Sequence, residues 1–97
     1  MKRLKNELSL NDIARNNIRY YRITKGLTQE KISETLEINE KSYSNLESGR
    51  YKISLERLDE ISKILELEPY ILLKEQHSAD EVPNRLDFYK SQLKNKK

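Results

Sequence analysis

Residues 28–49 constrain this chain more than any other stretch. Two short helical patterns lie back to back there, separated by three residues. Thr28 is an N-cap residue type, and Glu30 places a carboxylate in the first turn, where the helix dipole favours it. Ile32 and Leu36 form the inward face of this first segment, with Leu27 packing just ahead of the cap. Asn39 opens the second segment, whose inward residues are Tyr43 and Leu46, and Gly49 closes it.

The rest of the chain reads as helix on both sides of this pair. Lys25 followed by Gly26 marks a helix end, and Ile13, Asn17, Ile18, Tyr21 and Arg22 share one face before it. The pattern predicts a first helix over about 11–25, capped by Asn11 or Ser9. Ser54 caps a fourth segment in which Leu55, Leu58, Ile61, Ile64 and Leu65 recur every three or four residues. Pro69 suits the first position of a short fifth helix through Leu73. Residues 74–83 are polar, end at Pro83 and read as a linker, with His77 given no specific task. Asn84 can cap a further helix on which Leu86, Tyr89, Lys90 and Leu93 share a face, with Phe88 beside it. No strand alternation or internal repeat occurs.

Composition narrows the function. A chain of 97 residues with 35% hydrophobic and 36% charged residues supports one small core with a heavily solvated surface. Dimerisation is a reasonable source of extra stability for such a core. With no cysteine and a single histidine, a thiolate metal site, a histidine cluster or a Ser/His relay has no material. No paired carboxylates fall at an acid/base spacing, so neither an enzyme nor a cofactor is expected. No apolar run approaches a membrane span and no signal-peptide core follows the basic start, so the expected location is cytoplasmic. Charge is unevenly placed. Residues 1–25 hold seven basic against two acidic residues, whereas residues 26–73 hold six against ten. The basic ends are a candidate footprint for phosphates, and the acidic middle opposes it.

At the motif level, residues 28–49 have the layout of a helix-turn-helix, which lays its second helix in the DNA major groove. Over about 18–73 the chain resembles the Cro/repressor-type helix-turn-helix proteins, the Xre family. The matching residues are Ile18, Tyr21, Arg22, Gly26-Leu27-Thr28-Gln29-Glu30, Ile32, Leu36, Ile38-Asn39, Ser42 through Gly49, Leu55, Leu58, Ile61 and Leu72-Leu73. The resemblance implies an all-α, five-helix Cro/repressor-like bundle with a short C-terminal extension that has room for one extra helix. Its domains are a basic arm over 1–10, the DNA-binding domain over 11–73, and a linker with a helical tail over 74–97. It implies base readout by Glu40, Lys41, Ser44 and Asn45, whose spacing puts them on the side opposite Tyr43 and Leu46. It also implies phosphate contacts from Thr28, Gln29, Asn39, Arg50 and Lys52, and a bracing ion pair between Arg22 and Glu47. Two positions depart from the family pattern. Glu37 stands where a turn glycine is common, and Glu40 puts a carboxylate where Gln, Arg or Ser is common.

The function expected is a sequence-specific DNA-binding transcriptional regulator. Its expected form is a homodimeric repressor reading a palindromic operator through about 39–48, joined through helices four and five and the C-terminal segment. The alternatives are an antitoxin-like protein whose residues 74–97 bind a protein partner, and a helix-turn-helix fold kept only as an interaction module.

Overall fold

The computed structural model describes residues 8–81. Five helices follow one another: α1 (Leu10–Thr24), α2 (Gln29–Leu36), α3 (Glu40–Ser48), α4 (Leu55–Ile64) and α5 (Pro69–Leu72). Among the described residues there is no strand. None of their helices is long and apolar enough to cross a membrane. The N-terminal arm through residue 7 and the expected helix after Asn84 lie outside the described residues.

Four of the helices begin on a side chain that satisfies an otherwise orphan N–H. Thr28 Oγ1 accepts from the Lys31 N–H at 2.9 Å, Asn39 Oδ1 from Ser42 at 2.7 Å and Ser54 Oγ from Arg57 at 3.1 Å. For α1 the cap is Ser9, in a reciprocal box with Asp12. Hydrogen bonds from Ser9 hold the Asp12 carboxyl below its ordinary range. The alternative cap, Asn11, does other work: its Oδ1 accepts from the Ile53 N–H at 2.7 Å and ties the loop before α4 to α1.

The core joins all five helices through Ala14, Ile18, Ile32, Tyr43, Leu58, Ile61, Leu65 and Leu72. Helix α3 packs on both α1 and α2, while α4 packs on α2 and α5. Leu46, expected inward beside Tyr43, is half-buried and lies outside this core. One turn on from Tyr43, the Glu47 carboxylate accepts from the Tyr43 hydroxyl.

Asn17 is fully buried on α1 and closes α5. Its Nδ2 donates to the carbonyls of Leu72 and Lys74, both at 2.8 Å. Such carbonyls have no acceptor role left within a four-residue helix, so a side chain from another element satisfies them. Residues 74–81, expected as a linker, continue from there along α1. The His77 ring stacks on Tyr20 with centroids 3.5 Å apart, and His77 Nδ1 lies 3.0 Å from Glu81 Oε2. Arg19 Nη1 donates to the Glu81 carbonyl at 3.3 Å. Hydrophilic composition concealed this packing, because its contacts are aromatic stacking and backbone carbonyls rather than an apolar stripe.

Two turns place α3 by left-handed backbone. Glu37 ends α2 at φ 61° and ψ 39°, so the turn before α3 does take the conformation that suits glycine. Gly49 ends α3 at φ 92°, with the Arg15 guanidinium lying where a Cβ would project, 3.0 Å away. Replacing Glu37 with glycine removes the left-handed penalty and is expected to stabilise the protein by about 1 kcal/mol, raising Tm by about 4–8 °C. Gly49→Ala is expected to lower stability by about 1 kcal/mol and to displace Arg15. Thermal melts of the two variants check both signs.

Candidate nucleic-acid interface

The start of α2 and the exposed side of α3 carry the residues expected to meet DNA. The first N–H groups of a helix have no intrahelical acceptor. Caps at Thr28 and Asn39 use one of these on each helix. Those of Gln29 and Glu30 on α2, and of Glu40 and Lys41 on α3, remain directed outward, where the helix dipole favours an anion. Thr28 and Asn39 accept in their caps and so retain their own donors, the hydroxyl and the amide hydrogens.

Glu40 and Lys41 are exposed at the head of α3, and Ser44 is partly exposed one turn on. Asn45 departs from the expected face. It is only 8% exposed, so it presents far less of its amide than Lys41 does. Its backbone carbonyl accepts from the Tyr51 N–H at 3.1 Å, which ties the loop after α3 back to the helix. Arg50 and Lys52 are exposed on that same loop. Their charges flank α3 at the end opposite its N-terminus.

Behind this surface lies a polar cluster at the junction of α1, α2 and α3. Arg22 Nε and Nη2 clasp the Glu47 carboxylate at 2.8 and 2.9 Å, and Arg22 Nη1 donates to the Leu27 carbonyl at 2.8 Å. The bidentate geometry is the strong form of this pair. Burial works against the Arg22 charge, but Glu47 outweighs it and holds the guanidinium pKa above its ordinary value. The Tyr43 hydroxyl donates to Glu47 Oε2 at 2.6 Å. Burial, then the Glu47 charge, pushes the phenol pKa up, so it remains a donor. Gln29 Nε2 completes the set, donating to Glu47 Oε1 at 3.2 Å.

The family resemblance implies the Arg22–Glu47 pair but not the other two donors to Glu47. The four-residue spacing of Tyr43 and Glu47 on one helix was the available signal for the first. The bond from Gln29 crosses between helices and has no sequence signature. One face of the Tyr20 ring is covered by the stacked His77 ring. Among the described residues, no group of three or more metal-ligating side chains comes together.

Comparison with known proteins agrees with this geometry. The helix-turn-helix family matches residues 18–72, more than half of the chain. No curated protein matches significantly. Among solved structures, the clp gene regulator ClgR from Corynebacterium glutamicum is similar, with 27% identity and a TM-score of 0.64 over 69% of this chain and 87% of that one. A hypothetical transcription factor, NHTF from Neisseria, shows 25% identity and a TM-score of 0.66 over 77% of this chain and 86% of that one. From the match over residues 18–72 and the arrangement of α2 and α3, this chain belongs to the helix-turn-helix family of the Cro/repressor type.

Proposed function

We propose that this protein is a sequence-specific DNA-binding transcriptional regulator, and that it acts as a homodimeric repressor at a palindromic operator. The observation that carries the reading is the outward face of α3. Glu40, Lys41 and Ser44 stand clear of the core there, between two helix N-termini and the Arg50–Lys52 loop. Lys41 suits guanine O6 and N7, and Glu40 can accept from cytosine N4. The regulatory assignment draws support from ClgR, a regulator of clp genes, and from NHTF, a hypothetical transcription factor. No catalytic step is assigned: the single histidine is engaged with Tyr20 and Glu81.

Dimerisation follows from recognition geometry. One α3 reaches only a few base pairs, whereas a two-fold pair reads two half-sites about one helical turn apart. Apolar side chains left exposed on α4 and α5 support that step. Leu55 is 76% exposed at the start of α4, and Tyr70 on α5 is exposed as well. Leu55 borders an apolar groove of about 250 Å³ between the starts of α1 and α4.

Selection of bound sites from a random duplex library tests this directly. A palindrome with half-sites about 10 base pairs apart is expected, bound with a steep salt dependence. Lys41→Ala is expected to weaken the selected site by about 1–3 kcal/mol and relax preference at one position. Arg50→Ala is expected to weaken all sites alike and lower the salt slope by about 1. If nothing is enriched at low salt, the regulator reading fails. The acidic balance of residues 26–73 then favours an interaction module, with a partner sought for residues 74–97.

A further inference from the structure

Glu47 has more donors than a bracing ion pair needs. Arg22 and the Tyr43 hydroxyl meet Oε2, while Arg22 and Gln29 meet Oε1. Four donors fill the lone-pair positions of a carboxylate. The Glu47 side chain is 4% exposed, and its charge is neutralised by Arg22, so it does not present a field that repels phosphate. The Gln29 bond is the longest of the four and the one that leads to the surface. Gln29 is the first residue of α2, where the free N–H groups emerge. Among the described residues, no partner meets its second Nε2 hydrogen or its Oε1.

We propose that Glu47 is a positioning residue for phosphate recognition: it holds the Gln29 carboxamide at the head of α2 so that the second amide hydrogen is preset for a DNA phosphate oxygen. The proposal rests on the DNA-binding reading above and adds a task to it. A planar amide with one hydrogen on a buried carboxylate turns the other away from that carboxylate. A free glutamine side chain loses much rotamer freedom when it is fixed, and fixing it beforehand removes that loss from the binding step. In this arrangement Gln29 keeps its inner bond when phosphate arrives, and the two acceptors share one amide group.

A double-mutant cycle on the full-length chain tests the coupling. Affinity for the selected operator is measured for the wild type, Gln29→Ala, Glu47→Gln and the double variant, with Lys41→Ala introduced into each background. Gln29→Ala is expected to weaken binding about tenfold in the wild type, and less than threefold when Glu47 is already replaced. Lys41→Ala is expected to have the same effect in every background. Equal effects of Gln29→Ala in both backgrounds would show that Glu47 only braces the helices, and would overturn the proposal. Tighter binding by Glu47→Gln would overturn it too, since Gln29 would then have to leave Glu47 to reach DNA. Should Glu47→Gln not fold, side-chain amide relaxation of Gln29 in the DNA-free wild type decides. An order parameter near that of rigid backbone, about 0.85, supports positioning, and one below about 0.6 refutes it. A wild type that selects no operator removes both readings, whereas operator binding with an additive cycle removes this one alone.

Discussion

A single buried carboxylate holds the geometry of the interface. Glu47 lies at the meeting of α1, α2 and α3, and each of these helices sends it at least one donor. A buried ion pair is a poor source of net stability, because desolvating both charges consumes most of the Coulomb gain. What it does well is exclude alternatives. Arg22, Glu47 and Tyr43 are satisfied together only when α3 sits at one rotation and one depth against α1. Moving α3 by a residue would leave a buried charge unpaired, which is far more costly than losing an apolar contact. The apolar core therefore supplies the adhesion, and the polar cluster fixes the orientation in which α3 presents Glu40 and Lys41.

The ends of α3 are fixed by backbone rather than side-chain packing. Glu37 and Gly49, both left-handed, reverse the chain on either side of it. Gly49 suits this conformation, while Glu37 is strained in it. The strain falls in the turn that sets how α3 leaves α2, so a suboptimal residue is tolerated where the neighbouring helices dictate the path. Glu37 also adds a negative charge beside the proposed DNA face. Together with Glu30, Glu34 and Glu40 it lowers the positive charge of this part of the molecule. Backbone N–H groups at the helix ends, Lys41, Arg50 and Lys52 oppose that acidity.

Residues 74–81 enlarge the domain without enlarging its apolar core. Asn17, Arg19, Tyr20 and Tyr21 hold this segment along α1 through carbonyl hydrogen bonds and ring stacking. The outer surface of α1, polar in sequence, is thus partly an internal surface. Tyr20 and His77 share the contact, which accounts for an aromatic residue on the side of α1 away from the main core.

The sequence by itself determined the helices, the side-chain caps of the second, third and fourth, and their order. Those features are local: an N-cap at Thr28, Asn39 or Ser54 acts within three residues, and periodic leucines and isoleucines mark a face wherever the helix packs. The Arg22–Glu47 pair and the glycine-suited turn at Glu37 were both legible through family resemblance. Tertiary structure decided what no local rule contains. It brought the Tyr43 hydroxyl to Glu47 and engaged Asn11 with the Ile53 N–H, forty-two positions away. It covered Asn45, and it drew Gln29 to a carboxylate eighteen positions away. It also turned a polar linker into a packed segment. Each of these depends on which surfaces meet once the helices assemble. A hydrogen-bonding side chain carries no mark in the sequence of the partner that will satisfy it.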